Sequence, residues 1–523
     1  MSALPGRVAG WFWLVLTTIV GLALVVAGWV TLQDARDGID RQVSTINGVP
    51  VTLLAPPGDA PHPSAIVAHG FAGSRPLMDG VGLALADAGF TVALLDFAGH
   101  GANPQPLEVN DAGTRGQAQL TADLRTVAAW LAAQPGSADS PPVLVGHSMG
   151  AGAVVAYAAD AAPGTVAATV ALSLPSAEAV PAGAPADPAN LLLLWGSAEP
   201  DRFQDAALAA LTAGYPQATA GPVYGDAAAG TARSAQEVSG AEHLSILWRG
   251  QTLTAIVDWS SAAVGLPPAG PPTVDLRMAA TGACALGTVV LLVPLATLVL
   301  GNRPRRPRRQ VPWLLAVPVM VGGAAAGAFV GRFADESGSA IPLAVGGYIA
   351  VFFVAAAAVS GTLALVLART QPGVDRDRTP LLGSLLLTAV MILGLALPGR
   401  LTWAPFAFVG DRPWLAVLFV AILGAWFTAD ECLVRRRSRW GRAWLMAANR
   451  VIIICALLLA VLVWDAPGFL TLLVPLMVPL FALLAGAAVI LAGRTNSVVV
   501  PALVQAVPLG LLVATTFPLV SYA

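Results

Sequence analysis

Nine stretches of this chain are too long and too free of charge for a water-soluble fold. The first, Gly10–Leu32 (GWFWLVLTTIVGLALVVAGWVTL), runs 23 residues without a charged side chain, and about 20 apolar residues in a helix cross the hydrocarbon core of a bilayer. A cleavable signal usually has a shorter apolar region, of about 7 to 15 residues. The length therefore predicts an uncleaved anchor over residues 1–32. Beyond Leu276 eight further apolar runs follow near 278–300, 311–331, 341–368, 381–398, 413–429, 444–464, 467–492 and 497–520. These predict a transmembrane bundle over 277–523, in which the short 381–398 and 413–429 runs could be tilted, partial or re-entrant. Composition agrees: 56% of the chain is apolar and 11% charged, against about 25% charged in a typical soluble protein. A single soluble globule is excluded, and so is a disordered chain, which would be poor in apolar side chains.

The net charge of −2 hides a division. Residues 33–276 hold 22 acids against 8 Arg, giving −14, while the remainder carries +12; the chain has no Lys. An acidic segment of this size argues against nucleic acid as a partner, because that binding rests on clustered cations neutralising phosphates. The Arg residues instead alternate between loops. Arg303, Arg305, Arg306, Arg308 and Arg309 follow the second run, Arg369, Arg376 and Arg378 the fourth, and Arg435, Arg436, Arg437, Arg439 and Arg442 the sixth. Intervening loops hold only Arg332, then Arg400 with Arg412, then Asp465. By the excess of Arg and Lys in cytoplasmic loops, this predicts a multi-pass cell-membrane protein with Arg7 and the N-terminus inside and the acidic segment outside. Within the runs the apolar cores read as nearly free of ionisable groups. Asn449, Arg450 and Gln505 read as snorkelling or helix-to-helix hydrogen bonds, which disfavours a proton-coupled carrier.

Between the first two runs, over 46–265, short β-rich segments alternate with Ala- and Leu-rich ones, the pattern of βαβ units on a parallel sheet. Strands are predicted over 49–54, 64–69, 90–96, 142–147, 165–174, 190–195 and 235–240. Helices are predicted over 76–88, 116–133, 149–159, 203–213 and 245–262.

The chemistry sits where strands end. An apolar strand runs into Gly146-His147-Ser148-Met149-Gly150, a G-x-S-x-G turn whose glycines permit a sharp strand-to-helix reversal that exposes the Ser148 hydroxyl. A second strand ends in His69-Gly70-Phe71-Ala72-Gly73-Ser74, where small residues let amides face the space above the serine. Acyl transfer develops negative charge on a carbonyl oxygen, which preorganised donors stabilise. The backbone N–H groups of Phe71 and Met149 are the candidates. A third strand leads to Trp195-Gly196-Ser197-Ala198-Glu199, and the last to Gly240-Ala241-Glu242-His243. Ser148, Glu199 and His243 thus follow the Ser–acid–His order of a triad on an α/β sheet, with His243 as base and Glu199 orienting it. Asp201, two residues on, is an alternative acid.

With these motifs in register, the segment resembles the α/β-hydrolase superfamily, in the branch of monoacylglycerol lipase-like and serine aminopeptidase-like enzymes. HGFAGS, DFAGHG over 96–101, GHSMG, WGSAE and GAEH carry the likeness. It covers about 220 residues and leaves the eight C-terminal runs without a recognised family. The family acid is usually Asp where this chain has Glu199. Only 51 positions separate Ser148 from Glu199, too few for the helical cap of many relatives, so an open site is expected, or one covered by something else. His100 and His147 read as structural or pocket-lining, Asp96 as bracing its loop, and His62 lies in a Pro-flanked loop. No metal or nucleotide cofactor is expected, since ligand spacings and Gly-rich phosphate fingerprints are lacking. Three cysteines, Cys284, Cys432 and Cys455, lie outside the acidic segment. The function expected is cleavage of carboxylic esters, lipid-like for a site tethered to the bilayer, through an acyl-Ser148 intermediate. Acyl transfer or peptide cleavage by the same triad remains open, as does a transporter or scaffold bearing a non-catalytic hydrolase fold.

Overall fold

The computed structural model describes residues 4–522 apart from 59, 110–113, 135–136, 138–139, 268–269, 271–273, 302–310, 335–339, 370–380, 435–437 and 496. Arg303, Arg305, Arg306, Arg308, Arg309, Arg376, Arg378, Arg435, Arg436 and Arg437 of the sequence argument lie outside the described residues. The chain divides into two compact units: one of residues 31–278, 399–410 and 515–523, the other of 1–30, 279–398 and 411–514.

After a first helix, α1 (Leu4–Asp34), the hydrolase-like unit runs β1 (Asp40–Ile46), β2 (Val49–Ala55), β3 (Ser64–Ala68), α2 (Arg75–Asp87), β4 (Thr91–Leu95), β5 (Leu107–Val109) and α3 (Thr114–Ala132). It continues with β6 (Val143–His147), α4 (Met149–Ala159), β7 (Ala168–Leu172), β8 (Leu191–Gly196), α5 (Asp201–Gly214), β9 (Arg233–Val238) and α6 (Gly250–Ala263). Eight strands form one sheet in the order β1-β2-β4-β3-β6-β7-β8-β9. The β1–β2 and β2–β4 pairs are antiparallel and every later pair parallel. Strands β3, β4, β6, β7 and β8 are buried along their whole length, as the continuous apolar runs of a parallel sheet covered on both faces require. One face packs on α2 and α6 through Leu77, Met78, Val81, Leu85, Leu253 and Ile256.

Two differences from the sequence reading stand out here. Strand β1 (DRQVSTI) was not expected: it is an edge strand with largely exposed residues and only two large apolar side chains, so it carries no hydrophobic pattern. The helix expected over 245–262 is broken. Ser245–Trp248 forms a 3₁₀ turn, Arg249 is extended with ψ 131°, and α6 starts at Gly250. The side chain of Arg249 donates to the Gly240 carbonyl, an interaction that closes the loop carrying His243.

The other unit consists of helices. Beyond most of α1 it holds α7 (Arg277–Leu300), α8 (Trp313–Gly331), α9 (Gly346–Arg369), α10 (Leu381–Thr402), α11 (Arg412–Val434), α12 (Arg439–Trp464), α13 (Phe469–Leu472), α14 (Val474–Ala492) and α15 (Val499–Thr516). Among the described residues, nine helices are long and apolar enough to cross a membrane, which is compatible with a multi-pass membrane protein. Close approach rests on small residues, as expected where lipid supplies no hydrophobic drive between helices. A side chain at Gly327 of α8 would come 2.7 Å from the Phe352 carbonyl of α9, and one at Gly28 of α1 would come 2.6 Å from the Ala280 carbonyl of α7.

The short runs at 381–398 and 413–429 are full-length helices, α10 and α11, of 22 and 23 residues. The extension of α11 also corrects the reading that the apolar cores are nearly free of ionisable groups. Asp430 and Glu431 lie in its last turn, buried at 1% and 0% exposure. A carboxylate pair at the end of an apolar run reads as a loop; here each has a cationic partner that lets the helix continue. Arg450 of α12 donates to Asp430 (2.9 Å) and to Gln505 of α15 (3.0 Å), Asn449 donates to Asp430 (2.8 Å), and Arg442 donates to Glu431 (2.7 Å). Arg442 is thus a buried helical residue, not a loop arginine. The boundary at 277–523 also differs in two places: 399–410 and 515–522 cluster with the hydrolase-like unit, the latter through β10 (Val520–Tyr522), paired parallel to β5. A three-residue strand just after a span is too short to show a pattern of its own.

Candidate active site

The turn after β6 is built by close backbone approach. Ser148 sits at φ 53°, ψ −117°, a region that costs a non-glycine residue energy and persists only where its surroundings enforce it. Its N–H donates to the Leu172 carbonyl of β7 at 2.8 Å. A side chain at Gly150 would meet the carbonyls of Ala68 and His69, both at 2.5 Å, and one at Gly146 would meet the Gly150 carbonyl. These contacts are what the G-x-S-x-G spacing encodes.

Three side chains from three loops meet there. Ser148 Oγ–H donates to His243 Nε2 at 3.1 Å, and His243 Nδ1–H donates to Glu199 Oε1 at 2.5 Å. The carboxylate can only accept, so Nδ1 carries the imidazole proton and Nε2 is left as acceptor for the serine hydroxyl. The Glu199 side chain is fully buried, and its second oxygen accepts from Gly196 N at 2.7 Å. That bond folds the longer Glu side chain back over its own turn. Asp201, the other acid weighed from sequence, is the exposed first residue of α5.

One support of the His243 ring was not visible in the sequence. Phe203 stacks on the His243 ring with centroids 4.6 Å apart and planes 29° apart, and the Arg202 guanidinium lies over the Phe203 ring, 4.8 Å from its centroid. Nothing in the spacing announced this, since the i+4 step from Glu199 becomes informative only once α5 is placed. Behind the base, His147 Nε2–H donates to the His243 carbonyl at 2.8 Å. Burial foremost, and then the nearby His243 ring, push His147 well below the usual histidine range, so it stays neutral as an orienting donor.

The loop after β3 lies against the elbow. A side chain at Gly70 would come 2.9 Å from His147 Nδ1 and 3.0 Å from Ser148 Cβ, so only glycine allows this approach. A turn closed by Gly73 N to Gly70 O at 2.9 Å, with Ala72 at φ 57°, carries Phe71. Met149 is the first residue of α4, and the first N–H groups of a helix have no partner within it.

This loop is welded to the DFAGHG segment. Asp96, fully buried, accepts from Arg75 N (2.8 Å), Arg75 Nε (2.9 Å) and Ala102 N (2.9 Å). His69 Nδ1–H donates to Gly70 O at 2.8 Å while its Nε2 accepts from Phe97 N at 3.1 Å. Burial, opposed by the Asp96 charge, lowers the His69 pKa. His100 Nδ1–H donates to Ala98 O at 2.8 Å, and its ring meets Phe71 edge-on at 6.0 Å. Asp123, on α3, accepts from Ala98 N at 2.9 Å, and burial raises its carboxyl pKa to about 6. The sequence offered no sign of that residue. His62 lies apart, bridged to Ser137.

Residues 59–200 match the model of the family described as Serine aminopeptidase, S33. No curated protein matches the chain. Among solved structures, a CIB-like hydrolase from Thermoplasma acidophilum is 18% identical, covering 42% of this chain and 98% of its own, with a TM-score of 0.32. A dienelactone hydrolase from Anabaena variabilis is 20% identical over 44% of this chain and 99% of its own, with a TM-score of 0.32. Epoxide hydrolase A from Mycobacterium thermoresistibile is 17% identical over 42% and 98%, with a TM-score of 0.29. The sheet order and the family match together define an α/β-hydrolase fold joined to a helical region rich in apolar helices. Residues 59–200 are thus similar to a family of α/β hydrolases.

Proposed function

We propose that the protein is a membrane-anchored serine hydrolase that cleaves carboxylic esters through an acyl-Ser148 intermediate, its hydrolase-like unit outside the cytoplasmic membrane. The observation that carries this reading is the continuous hydrogen-bonded line Ser148–His243–Glu199 at 3.1 and 2.5 Å. As the Ser148 oxygen attacks the ester carbonyl, its proton passes to His243 Nε2, and the imidazolium formed is stabilised by Glu199. The carbonyl oxygen gains negative charge and takes hydrogen bonds from the amides of Phe71 and Met149. Collapse of the adduct breaks the bond to the alkoxy oxygen, which leaves with the proton from His243 as an alcohol. Water, deprotonated by the same imidazole, then attacks the acyl carbon; the acid leaves and Ser148 recovers its proton. Lipid-like esters are the substrate class we favour. The chain enters the hydrolase-like unit from one apolar helix and leaves it into another, and acyl chains concentrate in the bilayer. The alternation of Arg-rich segments along the sequence supports an inside N-terminus and an outside position for this unit.

The test is labelling of intact cells with a membrane-impermeant fluorophosphonate. Wild type is expected to label without permeabilisation and Ser148→Ala not at all. Labelling of the Ser148→Ala protein contradicts the nucleophile; labelling of wild type only after permeabilisation contradicts the sidedness.

A further inference from the structure

We infer that the strand following the last apolar helix, Val520–Tyr522 with Leu519 before it, is a positioning element of the active site: it fixes the Gly99–His100 turn, and through it the loop carrying Phe71. The inference rests on the catalytic reading above and extends it to a segment far outside the hydrolase-like sequence.

The tail is built into the hydrolase-like unit on both sides of one residue. Leu519 N donates to the Gly99 carbonyl at 2.8 Å, and its own carbonyl accepts from Leu107 N at 2.9 Å. From there Val520, Ser521 and Tyr522 pair in register with Leu107, Glu108 and Val109. Strands β5 and β10 form a two-stranded parallel sheet of their own, in which backbone hydrogen bonds supply the attachment and an inward side chain the specificity. The inward side chain is Leu519, at 3% exposure. Gly410, from the second segment that joins this unit, lies against it: a side chain there would come 3.1 Å from Leu519 Cδ1 and 3.5 Å from the Pro104 carbonyl.

Gly99 is shaped for this partner. It lies at φ 74°, and a side chain on it would collide with the Leu519 carbonyl. The glycine of DFAGHG therefore serves a contact some 400 positions further along the chain. Its neighbour His100 meets both His69, at 5.0 Å between ring centroids, and Phe71, at 6.0 Å. Through His69, which bonds to Gly70 O and Phe97 N, the two loops form one hydrogen-bonded block against Ser148. Removing the tail removes the outer support of that block while leaving Ser148, His243 and Glu199 in place.

An amide aimed at an oxyanion acts only in the transition state, so its displacement lowers kcat without raising KM. A full-length chain cut after Phe517, with all nine apolar helices retained, is expected to hydrolyse p-nitrophenyl acetate with kcat lowered by about 10-fold or more, since misplacements of about 1 Å can cost 100-fold. KM should stay within about twofold. A synthetic peptide of residues 517–523 at millimolar concentration should restore kcat. Leu519→Ala in the intact chain should show the same split more mildly, and Leu519→Met should not. If the truncated chain fails to accumulate, the Leu519 pair decides. Unchanged kcat in the truncated chain or in Leu519→Ala overturns the inference, as does a loss confined to KM. Either result leaves fluorophosphonate labelling of wild-type Ser148 intact, so failure here is separable from failure of the catalytic reading.

Discussion

At the residue scale, Glu199 shows how a longer acid can stand where the resembled family usually has Asp. Its extra methylene is absorbed by the bond from Gly196 N to Oε2, which leaves Oε1 aimed at His243 Nδ1. Glu199→Gln keeps the shape but offers an amide that can donate, so the imidazole can adopt the wrong tautomer. We expect kcat to fall by about 10⁴-fold with little change in KM, the size of effect known for the corresponding change in a serine triad; steady-state kinetics on a p-nitrophenyl ester measures it, and a loss under tenfold would return Asp201 to consideration. Asp123 gives a second prediction. Its folded pKa, about 6, lies above the ordinary carboxyl value of 3.8, so the folded state binds the proton more tightly than the unfolded one. The resulting destabilisation is absent below the unfolded value, grows through the window between the two, and is complete above about 6. Asp123→Asn, which keeps an acceptor for Ala98 N, should raise Tm at pH 7.5, and its advantage should shrink as pH falls to 4.5. An advantage independent of pH would contradict this.

Helices and strands divide into those whose pattern was readable and those that depend on partners. Buried strands such as β6 (VLVGH) and the long apolar helices were legible because burial on all sides demands an unbroken apolar run. The turn at Ser148 and the loop after β3 were legible because close backbone approach demands glycine at fixed offsets. Edge strand β1, tail strand β10 and the last turn of α11 were not, since each is specified by what it meets: β2, β5 and the cations of α12. In the last case the partner also sets the energy. Arg450, whose guanidinium lies over the rings of Trp426 and Phe427 at 4.8 and 5.0 Å, would keep a buried charge without its carboxylate if Asp430 were removed. Asp430→Ala should therefore cost about 3 kcal/mol or more in a denaturant titration in detergent. Asp430→Asn, which still accepts, should cost less. Equal costs, or none, would show that the pair does not tie α11, α12 and α15 together.

Over the whole molecule, the hydrolase-like unit is assembled from three stretches of chain, 31–278, 399–410 and 515–523, although its motifs all fall between His69 and His243. Ser74 Oγ donates to the Trp403 carbonyl at 2.7 Å and Arg36 donates to the Leu401 carbonyl at 3.0 Å, so the end of α10 and the residues after it are built into this unit. The sequence did not mark 399–410 or 515–522 as parts of this unit, because such segments are specified by the surface they meet and carry no local pattern of their own. The central claim is that Ser148 carries the acyl group. Its most direct measurement is mass spectrometry of the purified full-length protein, acid-quenched within the first turnovers on a p-nitrophenyl ester. The account predicts a burst of p-nitrophenol near one equivalent and an acyl adduct on the peptide containing Ser148. Turnover that continues with no adduct at Ser148, or with the adduct on another residue, would contradict it.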